Sequence, residues 1–236
     1  MVPGGSDPYS ILGAREVILT DLSPHMDQDT FLTALDFVRR NKNMIAQPLS
    51  ISSAQIDAAL AQAASPGDLR SSYRAPFSSR DLASNSVDLI SSRAVLEHIP
   101  TDAFEALLPE WIRLLTRDGV MAHAIDMSDH FEHTDKTISR INFLRFSPHV
   151  WRLLSVGATQ NRLRHSEFVA LFTRAGLTVE AVETRVDEPT IAAAKSLNLA
   201  APFDRMDPDD IAILTSYVIL LPNARAHSRS GERRAS

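Results

Sequence analysis

Two periods of apolar residues run through this chain, and where each starts and stops divides it into strands and helices. Glu16-Val-Ile-Leu-Thr-Asp21 is a short apolar run with β-branched residues, closed by an acid, and predicts a buried strand. Ser23-Pro24 ends it. Phe31, Leu32, Leu35 and Val38 then fall at helical spacing and predict a helix over Thr30 to Asn41. The Ala-rich stretch Ile51 to Ala64 predicts a second helix, stopped by Ser65-Pro-Gly. A strand is expected near Leu69 to Tyr73, a polar loop over Ser78 to Ser86, and a buried strand at Val87-Asp-Leu-Ile-Ser91. Ala94 to His98 reads as a helical turn halted by Pro100.

Thr101-Asp102 opens an amphipathic helix with Phe104, Leu107, Leu108, Trp111, Leu114 and Leu115 on one side, closed by Asp118-Gly119. Val120 to Asp126 follows as a strand. Residues 127–164 are polar and aromatic with only a partial helical pattern, and so long a segment inside a compact domain reads as a lid or insertion. Beyond it, Ser166 to Ala175 predicts a helix ending at Gly176, and Thr178 to Val186 alternates as a half-buried strand does. A helix near Thr190 to Leu197, a short one headed by Asp207-Pro-Asp-Asp, and a final strand at Ser216 to Leu221 complete the pattern. Strands alternating with helices, then a late strand pair, predict an α/β fold: a mostly parallel, Rossmann-like sheet with an antiparallel C-terminal edge strand.

Composition narrows the class. With 236 residues, 44% of them hydrophobic, the chain can bury one sizeable core, and one domain is expected over residues 1–222 with residues 130–164 as the lid or insertion. Residues 223–236 are expected to be a disordered basic tail. Lys and Arg number 24 against 29 Asp and Glu, a formal net charge of −5, which argues against a general nucleic-acid binder. Having no Cys, the chain has no disulfide framework, thiolate metal site or cysteine nucleophile, and it fits a reducing cytoplasm. No apolar run reaches the roughly 18–20 residues of a membrane span, and the first residues lack a basic-then-apolar signal pattern. A cytoplasmic protein is expected.

Three features fall at strand C-termini, where open α/β sheets bind ligands. Asp21 ends the first strand, and a carboxylate there can accept both hydroxyls of a ribose. Ser91-Ser92-Arg93-Ala-Val-Leu-Glu97-His98-Ile-Pro100 runs from strand end into a turn. Asp126-Met-Ser-Asp129-His130 follows the third strand.

These segments carry a resemblance to class I S-adenosylmethionine-dependent methyltransferases. Val17-Ile-Leu-Thr-Asp21-Leu-Ser-Pro24 is similar to the family's second strand, whose terminal acid binds the adenosine ribose. Ser86-Val-Asp88-Leu-Ile-Ser-Ser-Arg-Ala-Val-Leu-Glu97-His98-Ile is similar to its fourth strand and the loop against the methionine end of the cofactor. Leu114-Leu-Thr-Arg-Asp118-Gly119-Val is similar to the approach to its fifth strand. The resemblance implies a Rossmann-like methyltransferase sheet, S-adenosylmethionine as cofactor, and Gly4, Gly5, Asp21, Leu22, Asp81 and Ser92 as its contacts. Gly4-Gly5-Ser6 stands for the glycine loop, and Asp81 for the acid on the adenine amino group. Only Met1-Val2-Pro3 precede that loop, too few to form the family's first strand at roughly 3.3 Å each, so an N-terminally truncated domain is expected.

Methyl transfer from a sulfonium is an in-line displacement, so the protein's main task is to bring nucleophile and methyl together in a dry pocket. A hydroxyl or amine acceptor gains from a general base, for which His98, Asp126, Asp129, His130 and His133 are the candidates; His98, Asp126 and His130 are taken as catalytic. His130-x-x-His133 with Asp126 and Asp129 could be read as a metal site, but exposed His and Asp in a polar loop are commoner, and no metal is expected. Phe143, Phe146 and Trp151 with Arg140, Arg145 and Arg152 suit either an acceptor-binding lid or plain packing. As a lid, stacking aromatics with Arg would favour a small-molecule or saccharide-type (glycan) acceptor. Two rival readings remain. One is a truncated, non-catalytic methyltransferase-like protein acting as an interaction module. The other, a nicotinamide-dependent dehydrogenase, would need a Gly-x-Gly-x-x-Gly loop, which this chain lacks.

Overall fold

A computed structural model describes residues 14–21, 28–61, 71–155 and 160–223. The chain divides into two compact units, Met1–Ser78 and Ser79–Ser236. Gly4, Gly5, Leu22 and the tail from residue 224 lie outside the described residues.

In the first unit, β1 (Val17–Thr20) pairs in parallel with β2 (Ser71–Arg74), Val17 opposite Ser71 and Thr20 opposite Arg74. The pairing continues past the strand, since the Asp21 amide donates to the Arg74 carbonyl at 3.2 Å and the Asp21 carbonyl accepts from the Phe77 amide at 3.1 Å. Three helices follow in this unit: α1 (Gln28–Arg40), α2 (Lys42–Leu49) and α3 (Ser53–Ala61). Leu35, Val38, Ala46, Ile56 and Leu60 form their apolar core. The sequence pattern did not predict α2, because Asn41-Lys42-Asn43 reads as a helix end and Pro48 as a breaker. Pro48 lies in the last turn and the helix ends one residue after it. Ser50, in the left-handed region at φ 54°, then closes that turn on the Ala46 and Gln47 carbonyls.

The second unit holds a four-stranded sheet in the order β3-β4-β6-β5, with β3 at Val87–Arg93, β4 at Leu115–Asp126, β5 at Leu177–Arg185 and β6 at Thr215–Pro222. Strands β3 and β4 are parallel, and β6 runs antiparallel to both β4 and β5. The antiparallel C-terminal strand anticipated from the sequence is β6; it lies between β4 and β5, and β5 forms the sheet edge. Helices α4 (Phe104–Leu114), α5 (Pro148–Leu154), α6 (His165–Arg174), α7 (Glu188–Ser196) and α8 (Pro208–Ile211) complete the unit. No helix among the described residues is long and apolar enough to cross a membrane.

The junction of α4 and β4 departs from expectation. The apolar pattern carries the helix through Leu115 to Asp118-Gly119, whereas the helix ends at Leu114 and the strand starts at Leu115. Leu115 serves both periods: it is buried in the helix-facing core and already pairs with Val87. The register slips before Leu89 meets Val120, so residues 116–119 form an irregular stretch within the strand. Gly119 suits this close approach, because a Cβ would stand 3.0 Å from the Val87 carbonyl oxygen and the strands would have to part by a few tenths of an ångström.

Two apolar clusters organise this unit. Phe104 and Leu108 of α4, Met121 and Ile125 of β4, and Phe168 and Phe172 of α6 centre the larger one, which also receives Leu96 from the loop after β3. The second gathers Ile141, Phe143, Leu144 and Trp151 with Ala194, Phe203 and Ile211. The segment expected to be a lid thus has its own packed interior, and the buried Phe143 and Trp151 are part of that packing.

Candidate functional site

Because β3 and β4 are parallel neighbours, the loops after them emerge side by side, and each delivers imidazoles. Past Arg93 the chain turns at Ala94, in the left-handed region at φ 52°, with its amide still bonded to the Ala124 carbonyl at 2.9 Å. A single 3₁₀ turn, Leu96–His98, then plants Leu96 in the core and so presents Glu97 and His98 at the strand ends. After β4, Asp126 Oδ1 accepts from the Ser128 amide at 2.9 Å and its hydroxyl at 2.6 Å, folding the chain back. Asp129 caps the next 3₁₀ turn, His130–His133, by accepting from the Phe131 amide at 2.9 Å. Residues three apart on such a turn eclipse, and the His130 and His133 rings accordingly stack 5.1 Å apart. His98 meets His130 across the two loops, ring centroids 5.0 Å apart.

Asp126 Oδ2 lies 3.9 Å from His130 Nε2 and 4.0 Å from His133 Nε2. Of the catalytic candidates, His98, Asp126 and His130 are therefore brought together, with His133 beside them. Burial lowers the affinity of His130 for a proton, the neighbouring His98 and His133 act the same way, and Asp126 opposes them. Glu97 is 1% exposed and neither of its carboxylate oxygens has a hydrogen-bond partner. Burial pushes its pKa up to about 7; the backbone amides of Glu97 and Asp126, near the carboxylate but outside hydrogen-bond geometry, offset part of the rise, and the charge of Asp126 adds to it. Asp129 is also raised by burial, which outweighs the hydrogen bonds that favour its ionised form.

A strap formed by residues 160–164 fixes both loops. The Asn161 side chain donates to the Leu96 and Ile99 carbonyls, each at 2.8 Å, and its amide donates to the Glu97 carbonyl at 2.6 Å. Gln160 Nε2 donates to the Ser128 carbonyl at 2.6 Å, and the wholly buried Arg164 donates to the Met127 carbonyl at 2.8 Å. Desolvation holds the Arg164 pKa down near 10, so the guanidinium stays charged at neutral pH. Sequence reasoning missed Glu97, Gln160, Asn161 and Arg164. The signal was a polar run, Gln160-Asn161-Arg162, inside a segment with no helical period to place it on a solvated face.

The remaining candidates belong to other elements. Ser92 is paired with His123, its Oγ 2.8 Å from Nδ1 across the β3–β4 ladder, so its hydroxyl is engaged within the sheet. Asp81 is an exposed member of the 3₁₀ turn Ser79–Asp81, whose Ser79 carbonyl accepts from Arg113 of α4 at 3.0 Å. Asp21 stands at the end of β1 in the first unit, half-buried, with its backbone held by Arg74 and Phe77.

His123 makes a stability prediction. It is buried against the Trp111 ring, 5.3 Å between centroids, and desolvation alone lowers its pKa from 6.5 to about 4. Its contribution is complete above the unfolded value and is lost as pH falls toward 4, because the unfolded imidazole takes up a proton that the folded one refuses. Between about pH 7 and about pH 5 the wild type is expected to lose about 2 kcal/mol more stability than His123→Gln. Urea unfolding at both pH values measures this. Glu97 titrates in the opposite sense in both proteins and cancels in the difference; equal losses would mean that His123 is not held neutral.

Residues 9–123 match the family described as a methyltransferase domain. No curated protein matches the chain. Among solved structures, an S-adenosylmethionine-dependent methyltransferase from Mesorhizobium loti is 16% identical over 88% of this chain and 81% of that one, with a TM-score of 0.45. One from Methanosarcina mazei is 12% identical over 90% of this chain and 84% of that one, with a TM-score of 0.44. A protein from Bordetella parapertussis is 15% identical over 87% of this chain and 52% of that one, with a TM-score of 0.39, so this chain spans about half its length.

Proposed function

We propose that this chain, whose residues 9–123 match the methyltransferase-domain family, uses S-adenosylmethionine to methylate a hydroxyl or amine on a small-molecule or saccharide-type acceptor. The observation that carries the acceptor class is Asp126 with two imidazole Nε2 atoms 3.9 and 4.0 Å from its Oδ2. A nucleophile that must lose a proton needs such a group; a carbon or thiolate acceptor that is already electron-rich does not.

S-adenosylmethionine supplies the electrophilic methyl on its sulfonium. The chain's residues supply the rest. Asp21 fits the ribose: a half-buried carboxylate at a strand end, its backbone fixed on both sides, can accept from two vicinal hydroxyls. In the second unit, His130 or His133 takes the acceptor's proton, and Asp126 stabilises the imidazolium that results. His98 adds a third imidazole beside His130. The packed aromatic cluster around Phe143 and Trp151 supports the segment that carries the strap, holding these groups in place and limiting water around them.

Calorimetric titration of the purified chain with S-adenosylhomocysteine tests the premise. Micromolar binding is expected, and Asp21→Ala should weaken it by about 10- to 100-fold, the worth of charge-assisted hydrogen bonds. A folded chain that binds no S-adenosylhomocysteine would refute the reading. An Asp21→Ala variant that binds as tightly as wild type would remove Asp21 from the cofactor site.

A further inference from the structure

We propose that Glu97, His98 and His130 form a binding site for a divalent transition-metal ion, with zinc the ion it fits best. One ligand-capable atom from each of the three lies within 4.8 Å of the others. Ligands about 2.0–2.2 Å from a tetrahedral ion stand roughly 3.5 Å apart, so rotamer adjustments of about 1 Å would close the site. This set shares only His130 with the one the sequence suggested, which took His130, His133, Asp126 and Asp129 from a single loop.

An independent observation points to a cation. Glu97 is 1% exposed with both carboxylate oxygens unpartnered, and His130 Nε2 is likewise buried without a hydrogen bond. A buried carboxylate left in that state is strongly disfavoured unless a cation or a proton satisfies it. Asp126 makes the mismatch sharper, because a second carboxylate stands beside the same imidazole, Oδ2 to Nε2 3.9 Å. A dication would balance both negative charges and give each orphaned atom a partner.

The donor chemistry selects the ion. Two imidazoles with one carboxylate suit zinc, cobalt, manganese or iron, whereas magnesium and calcium favour all-oxygen sets. Three protein ligands leave a coordination position open, as in zinc sites that do chemistry. The scaffold is already fixed: Asn161 pins the Leu96–His98 turn, and Asp129 caps the turn that carries His130. With His130 taken as a ligand, His133 keeps its place beside Asp126 for proton transfer, at 4.0 Å. Metal binding itself does not depend on the methyl-transfer reading.

The full-length, chelator-treated chain is titrated with zinc chloride by calorimetry and with cobalt chloride by visible absorption. One ion per chain is expected, at micromolar affinity or tighter. Glu97→Gln and His98→Ala should each weaken binding by at least about 10-fold, while His149→Ala, on exposed α5, should leave it within about 2-fold. Circular dichroism checks folding; if Glu97→Gln does not fold, His98→Ala and His130→Ala carry the comparison. Absence of stoichiometric binding, or binding that survives these ligand substitutions, overturns the proposal. S-adenosylhomocysteine titrations on the same samples keep the two readings apart: metal binding without nucleoside binding would uphold the site and refute the methyltransferase premise.

Discussion

Asp126→Asn is expected to slow methyl transfer by about 10²- to 10⁴-fold while leaving S-adenosylhomocysteine affinity within about 3-fold. The substitution is nearly isosteric. Its Oδ1 can still accept from the Ser128 amide and hydroxyl, so the turn after β4 survives and only the charge is removed. That charge stands about 4 Å from two imidazole nitrogens. At that distance a carboxylate favours the imidazolium form, and for His130 it opposes the effect of burial. Without it, the proton taken from an acceptor hydroxyl or amine has no counter-charge. Release of S-adenosylhomocysteine against a panel of hydroxyl- and amine-bearing acceptors reports the rate. The loss should fall in kcat and not in KM, and Asp126→Glu, which keeps the charge, should recover part of it. A full rate from the Asn variant would remove Asp126 from the chemistry.

Phe168→Ala is expected to cost about 3–5 kcal/mol of folding stability, a large share of the roughly 5–15 kcal/mol that a typical domain has. Phe168 is 1% exposed, meets Phe104 edge-on with centroids 6.0 Å apart, and stacks on Phe172 at 6.1 Å. Truncation removes an aromatic ring from the centre of the larger cluster and leaves a void flanked by α4, β4 and α6. Leu96 belongs to that cluster and is chain neighbour to Glu97, so the lost packing also loosens the loop that presents the site. Urea unfolding followed by circular dichroism measures the effect. A loss below about 1 kcal/mol would mean that the neighbours refill the space and that the cluster is less tightly packed than its burial implies.

Most of the fold was legible because it rests on periodicity. Helix α6 could be read from Phe168, Leu171 and Phe172 at helical spacing with Gly176 beyond the end, and Gly176 indeed adopts a left-handed φ of 89°. Strand β5 could be placed from the alternation in its sequence, but its side chains from Glu180 onward are exposed and the register shifts between Val179 and Ala181, so it is not buried along one face as the alternation predicts. Where two periods share a residue, as at Leu115, the pattern could not say which would prevail; pairing with Val87 decided it. Helix α5 was missed because its seven residues are too few to establish a period within a segment of mixed polarity.

The site was legible only where a strand end announced it. Asp126, His130 and His98 follow directly from the rule that ligands gather at the C-terminal ends of parallel strands. Glu97 could not be ranked above its neighbours, since a carboxylate beside a histidine in a loop normally faces water, and its burial depends on how the Leu96 side chain anchors the turn. For Ser92, the position near a strand end suggested a ligand contact, and only the parallel register shows that it stands opposite His123, its Oγ 2.8 Å from Nδ1.

The strap at residues 160–164 also has a kinetic consequence. Glu97 and His98 must await Asn161, more than 60 residues further along the chain, and the loop after β4 must await Gln160 and Arg164, more than 30 residues on. Closing loops of that length is entropically slow and gains little until the partners arrive. The imidazole cluster is therefore a late-assembled feature of its unit. Ribosomal synthesis must pass residue 164 before these side chains acquire their mutual geometry, so a partly made chain carries the reactive groups before it carries the means to align them.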